Sequence, residues 1–256
     1  MQRNSATYMF VFAAIVCVVC AVFVSGAAVA LNERQDANAS LDKQKNVLYA
    51  AGLTTVEEGL DREAITSLFD ERVEAVAVDM SSHQETDQID PLQYDMAKAA
   101  AGPEGADAPA NNAGVKRLSQ FATVYKVKDD AGNVEMVVLP ISGYGLWSTL
   151  YGFLALDSDG TTVRGITYYQ HGETPGLGGE VDNPAWKSKW PGRKVYGDAG
   201  NVQLRVIKGQ AGPASSDPHQ VDGLSGATIT SRGVSNMIDF WLGEQGFGPY
   251  LDKIAG

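Results

Sequence analysis

From Tyr8 to Leu31 the chain carries no charged residue, and this run constrains everything that follows it. At about 1.5 Å of rise per residue, a helix over that length crosses a hydrocarbon core about 30 Å thick. The expectation is a transmembrane helix. A cleaved secretory signal is the rival, with Arg3 as a minimal positive region and Ala28-Val29-Ala30 as a small-x-small site. The apolar run is longer than a usual signal core, which favours an anchor that stays, and either reading exports the rest of the chain. Arg3 and the α-amino group precede the run, whereas Glu33, Asp36 and Asp42 follow it. The positive-inside rule then leaves a short cytoplasmic tail.

Cys17 and Cys20 are the two cysteines, both inside this run and one helical turn apart. A structural metal site needs about four ligands, and Val16, Val18, Val19 and Ala21 supply none, so packing against a neighbouring membrane helix is the better reading. No disulfide can staple the exported part. Its size suits one principal domain, because 256 residues with 44% hydrophobic content can bury one sizeable core. A net charge of −11 excludes nucleic acid as a partner, since a polyanion is repelled and no basic, aromatic-interleaved cluster offsets that.

Beyond the anchor, periodicity predicts helices over Leu41 to Leu53 and Asp61 to Phe69, which together form an amphipathic cap. A strand is expected at Val73 to Val78, and a helix opened by Asp90-Pro91 runs through Ala101. Gly102 to Gly114 is rich in Ala, Gly, Pro and Asn and reads as a loop outside the core. The pattern then changes to strands: Phe121 to Val127, Val134 to Ile141, Tyr151 to Asp157 and Val163 to Tyr169, with Val202 to Ile207 closing the series. Asp129-Asp130-Ala131-Gly132-Asn133 and Asp157-Ser158-Asp159-Gly160 have hairpin chemistry, so the strands are antiparallel neighbours. The second turn lacks the later carboxylate of a calcium loop. Trp186, Trp190 and Pro191 lie in an aromatic segment that packs as a short helix. Strands with helices at the ends make this an α+β chain.

The stretch Asp222-Gly223-Leu224-Ser225-Gly226-Ala227-Thr228-Ile229-Thr230-Ser231 joins a small-residue turn to a helix. From Ser231 onward, Val234, Met237, Ile238, Trp241 and Leu242 recur at three- and four-residue steps and end near Gly243 or Gly246. Thr228 therefore stands at or just before a helix N-terminus, where unpaired N–H groups and the dipole favour an anion. Gly226 and Ala227 leave room around its hydroxyl. Two readings follow: a phosphate esterified to Thr228, or ordinary capping by Ser225, Thr228, Thr230 and Ser231.

Asp222-x-x-Ser225-Gly226-Ala227-Thr228 resembles the motif at which a dedicated flavin transferase joins FMN to a threonine through a phosphoester bond. Gly145-Leu146-Trp147-Ser148, His171-Gly172-Glu173-Thr174-Pro175-Gly176-Leu177-Gly178, Lys45-Asn46-Val47-Leu48 and the N-terminal anchor fall in the same order as in one family. That family is the C-subunit of the sodium-translocating NADH:quinone oxidoreductase. The related flavin subunit of the Rnf electron-transport complex carries the same motif, and the Lys45 segment with the long acidic insertion before Phe121 favours the C-subunit.

The resemblance implies covalent FMN on Thr228, with Ser225, Gly226, Ala227 and Thr230 around the attachment point. It also places Leu146, Trp147, Glu173, Thr174 and Leu177 against the ring. Lys208 would offset negative charge on the flavin edge or phosphate; a solvated lysine is the alternative. It further implies a single-pass protein of the bacterial inner membrane, held in lipid by residues 8–31. Residues 32–115 would connect the anchor to a periplasmic FMN-binding domain at 116–256. The partners would be other membrane subunits of a complex that oxidises NADH, reduces ubiquinone and exports Na⁺, and the transferase that matures it.

No catalytic acid or base is required of such an electron carrier, and no dinucleotide fingerprint or intramembrane carboxylate places NADH or sodium on this chain. His171 and His219 have no cluster of ligands beside them, so no metal site is expected. The competing class is a membrane-anchored binding module whose Ser-Gly-Ala-Thr turn is only a helix cap.

Overall fold

The computed structural model describes residues 5–254. Arg3 lies outside them, as do the side chains of Glu33 and Asp36, and with them most of the charge asymmetry across the anchor. The chain divides into two units, Met1–Asp42 and Lys43–Gly256.

Helix α1 (Ala6–Ala51) contributes to both units. Its part Ala6–Asn32 is long and apolar enough to cross a membrane, and its large side chains, among them Phe10, Phe23 and Val29, are exposed. Cys17 and Cys20 are exposed and unbridged. The last turns belong to the second unit, where Val47, Leu48 and Ala50 are fully buried. The helix read from Leu41 is thus the end of one continuous helix.

Helix α2 (Arg62–Arg72) starts where Asp61 accepts a hydrogen bond from the N–H of Ala64, and it buries Ile65 and Phe69. It leads into β1 (Val73–Asp79), followed by β2 (Gln84–Thr86). With β5 (Phe121–Lys128), β6 (Val134–Tyr144), β7 (Thr149–Asp157) and β8 (Val163–Gln170), these form a six-stranded antiparallel sheet in the order β2-β1-β5-β6-β7-β8. β1 pairs with β5 along its whole length, so residues on both sides of 115/116 share one sheet. The two turns close as their chemistry requires. Asp129 accepts from the N–H groups of Ala131 and Asn133, and Asp159 from those of Thr161 and Thr162.

Both faces of the sheet are covered. On one, the row Leu139, Leu154 and Ile166 packs into the main core with α5 (Thr228–Leu242) and α6 (Gly248–Ile254). Each fully buried leucine there contributes about 1.5–3 kcal/mol. On the other, Tyr125, Val138, Ala155 and Gly165 lie in register. Phe69 meets Tyr125 edge-on at 6.0 Å, and a Cβ on Gly165 would stand 2.4 Å from the carbonyl oxygen of Ala50. The ends of α1 and α2 therefore cover part of that face.

Three expectations need correction, and one helix was not expected. The helix after Pro91 is confined to α3 (Met96–Ala101), because Asp90 closes a separate turn with Leu92 and Asp95 caps the later start. The loop 102–114 contains β3 (Ala106–Asp107), paired with β4 (Arg117–Leu118), and it buries Ala113 completely in the core. The strand expected at Val202 to Ile207 reduces to β9 (Arg205–Val206), which pairs in parallel with β10 (Gln220–Val221) rather than extending the sheet. Helix α6 had no periodic signal. The tryptophan segment does form a short helix, α4 (Pro184–Lys187), capped by Asn183, with Trp186 and Trp190 buried edge-to-face at 5.3 Å.

Candidate functional site

Helix α5 is held along the end of β6 by very close packing. A Cβ on Gly233 would lie 2.4 Å from the carbonyl oxygen of Tyr144, and Trp241 donates its indole N–H to the Ser142 carbonyl at 2.6 Å. Thr228 is the first residue of the helix and is exposed. The position before it is Ala227, whose side chain gives no capping bond. Gly226 turns the chain with φ +71°. Of the four hydroxyls, two are engaged inside the fold: Ser231 accepts from the N–H of Leu224 at 3.0 Å, and Thr230 donates to Glu173 at 2.7 Å. Ser225 and Thr228 remain at the surface.

Thr228 opens onto a cavity of about 720 Å³ that is also lined by Ser225, Gly226, Lys208 and Arg232. Lys208 is brought there because Gly223 donates its N–H to the Gly209 carbonyl at 2.8 Å and a Cβ on Gly223 would stand 2.2 Å from that of Ile207. Arg232 follows Thr228 by four residues, which places both on one helix face. Arg205, also at the cavity, is paired with Asp239 at 3.0 Å. The motif did not single out Arg232; its four-residue step from Thr228 was the available signal.

Asp222, the acidic residue of the motif, is turned inward. Its carboxylate takes Lys189 at 2.7 Å and the N–H of Ala211 at 2.9 Å, while its carbonyl accepts from the indole of Trp186 at 2.8 Å. Burial raises its pKa, but the bonds from Lys189 and Ala211 and the nearby charge of Arg193 outweigh that and hold it below the usual carboxylate range.

Glu173 is the second inward carboxylate, only 5% exposed. One oxygen accepts from the N–H groups of Leu146, Trp147 and Ser148 at 3.0, 2.9 and 3.3 Å, and the other from Thr230. Burial pushes its pKa up, and these four bonds together bring it below the ordinary value. Around it the large side chains face outward: Leu146 is 39% exposed, Trp147 64%, Leu177 43% and Ile229 53%. A Cβ on Gly226 would lie 2.9 Å from Leu177, so that leucine reaches the turn before Thr228. Thr174 is exposed in the same loop.

Other residues have structural partners. His171 contacts Asp182 at 2.7 Å, and His219 lies 2.8 Å from the Lys194 carbonyl. A second cavity of about 410 Å³, lined by Tyr94, Tyr125, Tyr151 and Tyr169, contains none of the residues expected around a flavin.

These features fit FMN. An uncapped helix start with two cations beside it suits a phosphate, and an exposed apolar surface next to it suits a planar ring. A family model described as an FMN-binding domain matches residues 145–243, which span the Gly145 turn, the 171–178 loop and all of α5. The chain is 50% identical to the C-subunit of the Na(+)-translocating NADH-quinone reductase of Pseudomonas aeruginosa, covering 99% of this chain and 97% of that one. It is 47% identical to the C-subunit of the same reductase from Yersinia pestis, covering 94% and 90%. The crystal structure of Shewanella oneidensis NqrC superposes with a TM-score of 0.78 at 35% identity, over 85% of this chain and 98% of that one. On this fold, site and likeness, the chain belongs to the C-subunit family of Na(+)-translocating NADH-quinone reductases.

Proposed function

We propose that this chain is the flavoprotein subunit of a Na(+)-translocating NADH-quinone reductase and that it holds FMN covalently, through a phosphoester on Thr228. The observation that carries the reading is the position of that hydroxyl: exposed, at a helix start with no side-chain cap, in a cavity that also holds Lys208 and Arg232. When bound, FMN supplies reversible electron acceptance and donation.

The chain's own residues do the rest. The N–H groups of the first turn of α5, with Lys208 and Arg232, neutralise the phosphate. Leu146, Trp147 and Leu177 cover the ring and exclude water from part of it, while Thr174 and backbone groups of the 172–178 loop meet its polar edge. Ser225, Gly226 and Ala227 keep the approach to Thr228 open for a flavin transferase. No side chain here moves a proton in a chemical step. A tether suits a cofactor on the periplasmic side, where a lost mononucleotide could not be replaced. NADH oxidation, ubiquinone reduction and Na⁺ export belong to the assembled complex, with the other membrane subunits as partners and Ala6–Asn32 as the lipid-embedded anchor of the inner membrane.

The test is mass spectrometry of the peptide containing Thr228 from protein produced with the flavin transferase. An FMN adduct on Thr228 supports the reading. An unmodified Thr228 under those conditions overturns it and leaves the binding-module alternative.

A further inference from the structure

We propose that Glu173 is a positioning residue that assembles the ring-facing surface before any flavin is attached, by holding the 146–148 turn and the first turn of α5 on a single carboxylate. This rests on the FMN reading of Thr228 but concerns a different part of the site. The three N–H groups at 2.9–3.3 Å come from consecutive residues of an exposed turn. They converge on one oxygen only because the turn is wrapped around it. The second oxygen takes Thr230, two residues beyond the attachment point, at 2.7 Å. One side chain therefore sets where Leu146 and Trp147 stand relative to Thr228.

The backbone is built to accept that carboxylate. A Cβ on Gly145 would come within 2.6 Å of one oxygen, and a Cβ on Gly178 within 2.5 Å of the other. Glycine at both positions lets the turn and the 171–178 loop close on the charge from two sides. The donors that reach it are neutral amides and a hydroxyl, so Glu173 keeps its charge with no ion pair among the described residues. Oriented this way, the carboxylate influences a flavin through the turn and the helix it joins.

Hydrogen exchange and flavin attachment on the full-length chain test this together. In a Thr228→Ala background, which is never flavinylated under the proposal above, the amides of Leu146, Trp147 and Ser148 exchange slowly when Glu173 is present. Glu173→Gln keeps the length but removes the charge and an acceptor oxygen, and Glu173→Asp keeps the charge but shortens the reach. Each speeds exchange of those three amides at least tenfold and leaves β6 and β7 protected. With Thr228 intact, Glu173→Gln slows attachment severalfold in timed co-production with the transferase, read by in-gel flavin fluorescence. Thr230→Val removes only the helix link, so it slows attachment while the three amides stay protected. Combined with Glu173→Gln it adds no further slowing. Unchanged amide protection in Glu173→Gln overturns the proposal. So does loss of protection spread equally through β6 and β7, or fully additive effects of the two substitutions on attachment. Covalent flavin persisting in Thr228→Ala would instead overturn the attachment site and leave the exchange result standing.

Discussion

The proposed attachment turn and the proposed ring-facing surface lie side by side, yet they are made differently. Most of what defines the turn lies within one short stretch, with only Lys208 brought to its cavity from further away: Gly226 with its positive φ, the uncapped Ala227, exposed Thr228 and, one helical turn on, Arg232. The proposed ring-facing surface exists only after residues 146–148, 173–178 and 230 meet, through bonds of which the longest in sequence joins Thr230 to Glu173, 57 residues apart. A local device can be altered one residue at a time. A tertiary one responds as a unit, because its parts share one carboxylate.

The difference can be broken most sharply at Thr228. Thr228→Ala abolishes covalent flavin fluorescence on a denaturing gel while leaving the unfolding midpoint almost unchanged, since an exposed substitution costs within about 0.5 kcal/mol. Gly233→Val should damage both regions at once, because its Cβ would strike the Tyr144 carbonyl oxygen. The expected loss is about 1–3 kcal/mol in chemical denaturation, with attachment reduced in parallel.

Acid distinguishes the two regions next. Glu173 has a folded pKa below its unfolded value, so its contribution to stability is present above the unfolded carboxylate range, about 4, and is lost as pH falls through the folded value. Glu173→Gln therefore flattens the acid limb of the stability profile, whereas Thr228→Ala leaves it as it is. Removing the cations is milder. Lys208→Ala and Arg232→Ala each cost the proposed phosphate site about 0.2–1 kcal/mol, read as a few-fold slower attachment that converges with wild type as salt rises. The smallest effect on attachment belongs to Trp147→Ala, which leaves its rate unchanged but makes flavin fluorescence more accessible to iodide, because the side chain is 64% exposed and anchors nothing behind it.

The same contrast explains what could be read from the chain. The apolar N-terminal helix, the four strands β5 to β8 and the helix after Ser231 carry their own periodicity, so local pattern was sufficient for them, and the motif proposed for attachment at Thr228 is contiguous. Glu173 and Thr230 both stand out in the sequence, but each as a neighbour of the flavin. That they bond to each other depends on how β6, the 171–178 loop and α5 come together, and no local pattern records it. The Val202 to Ile207 run failed for a related reason: only Arg205 and Val206 find a partner strand, supplied by Gln220 and Val221. Helix α6 lies in a short segment broken by Gly246, Gly248 and Pro249, too brief to show a period.

Asp222 carries one more consequence. Its carboxylate is already engaged by Lys189 and Ala211, and the residue is 9% exposed. Under the proposed attachment, an enzyme approaching the folded domain would meet a bare, glycine-kinked ledge rather than an acidic handle. The letter that opens the motif would then be recognised through the contour it imposes, and a neutral residue able to hold the same ledge in place would be invisible to the modifying enzyme.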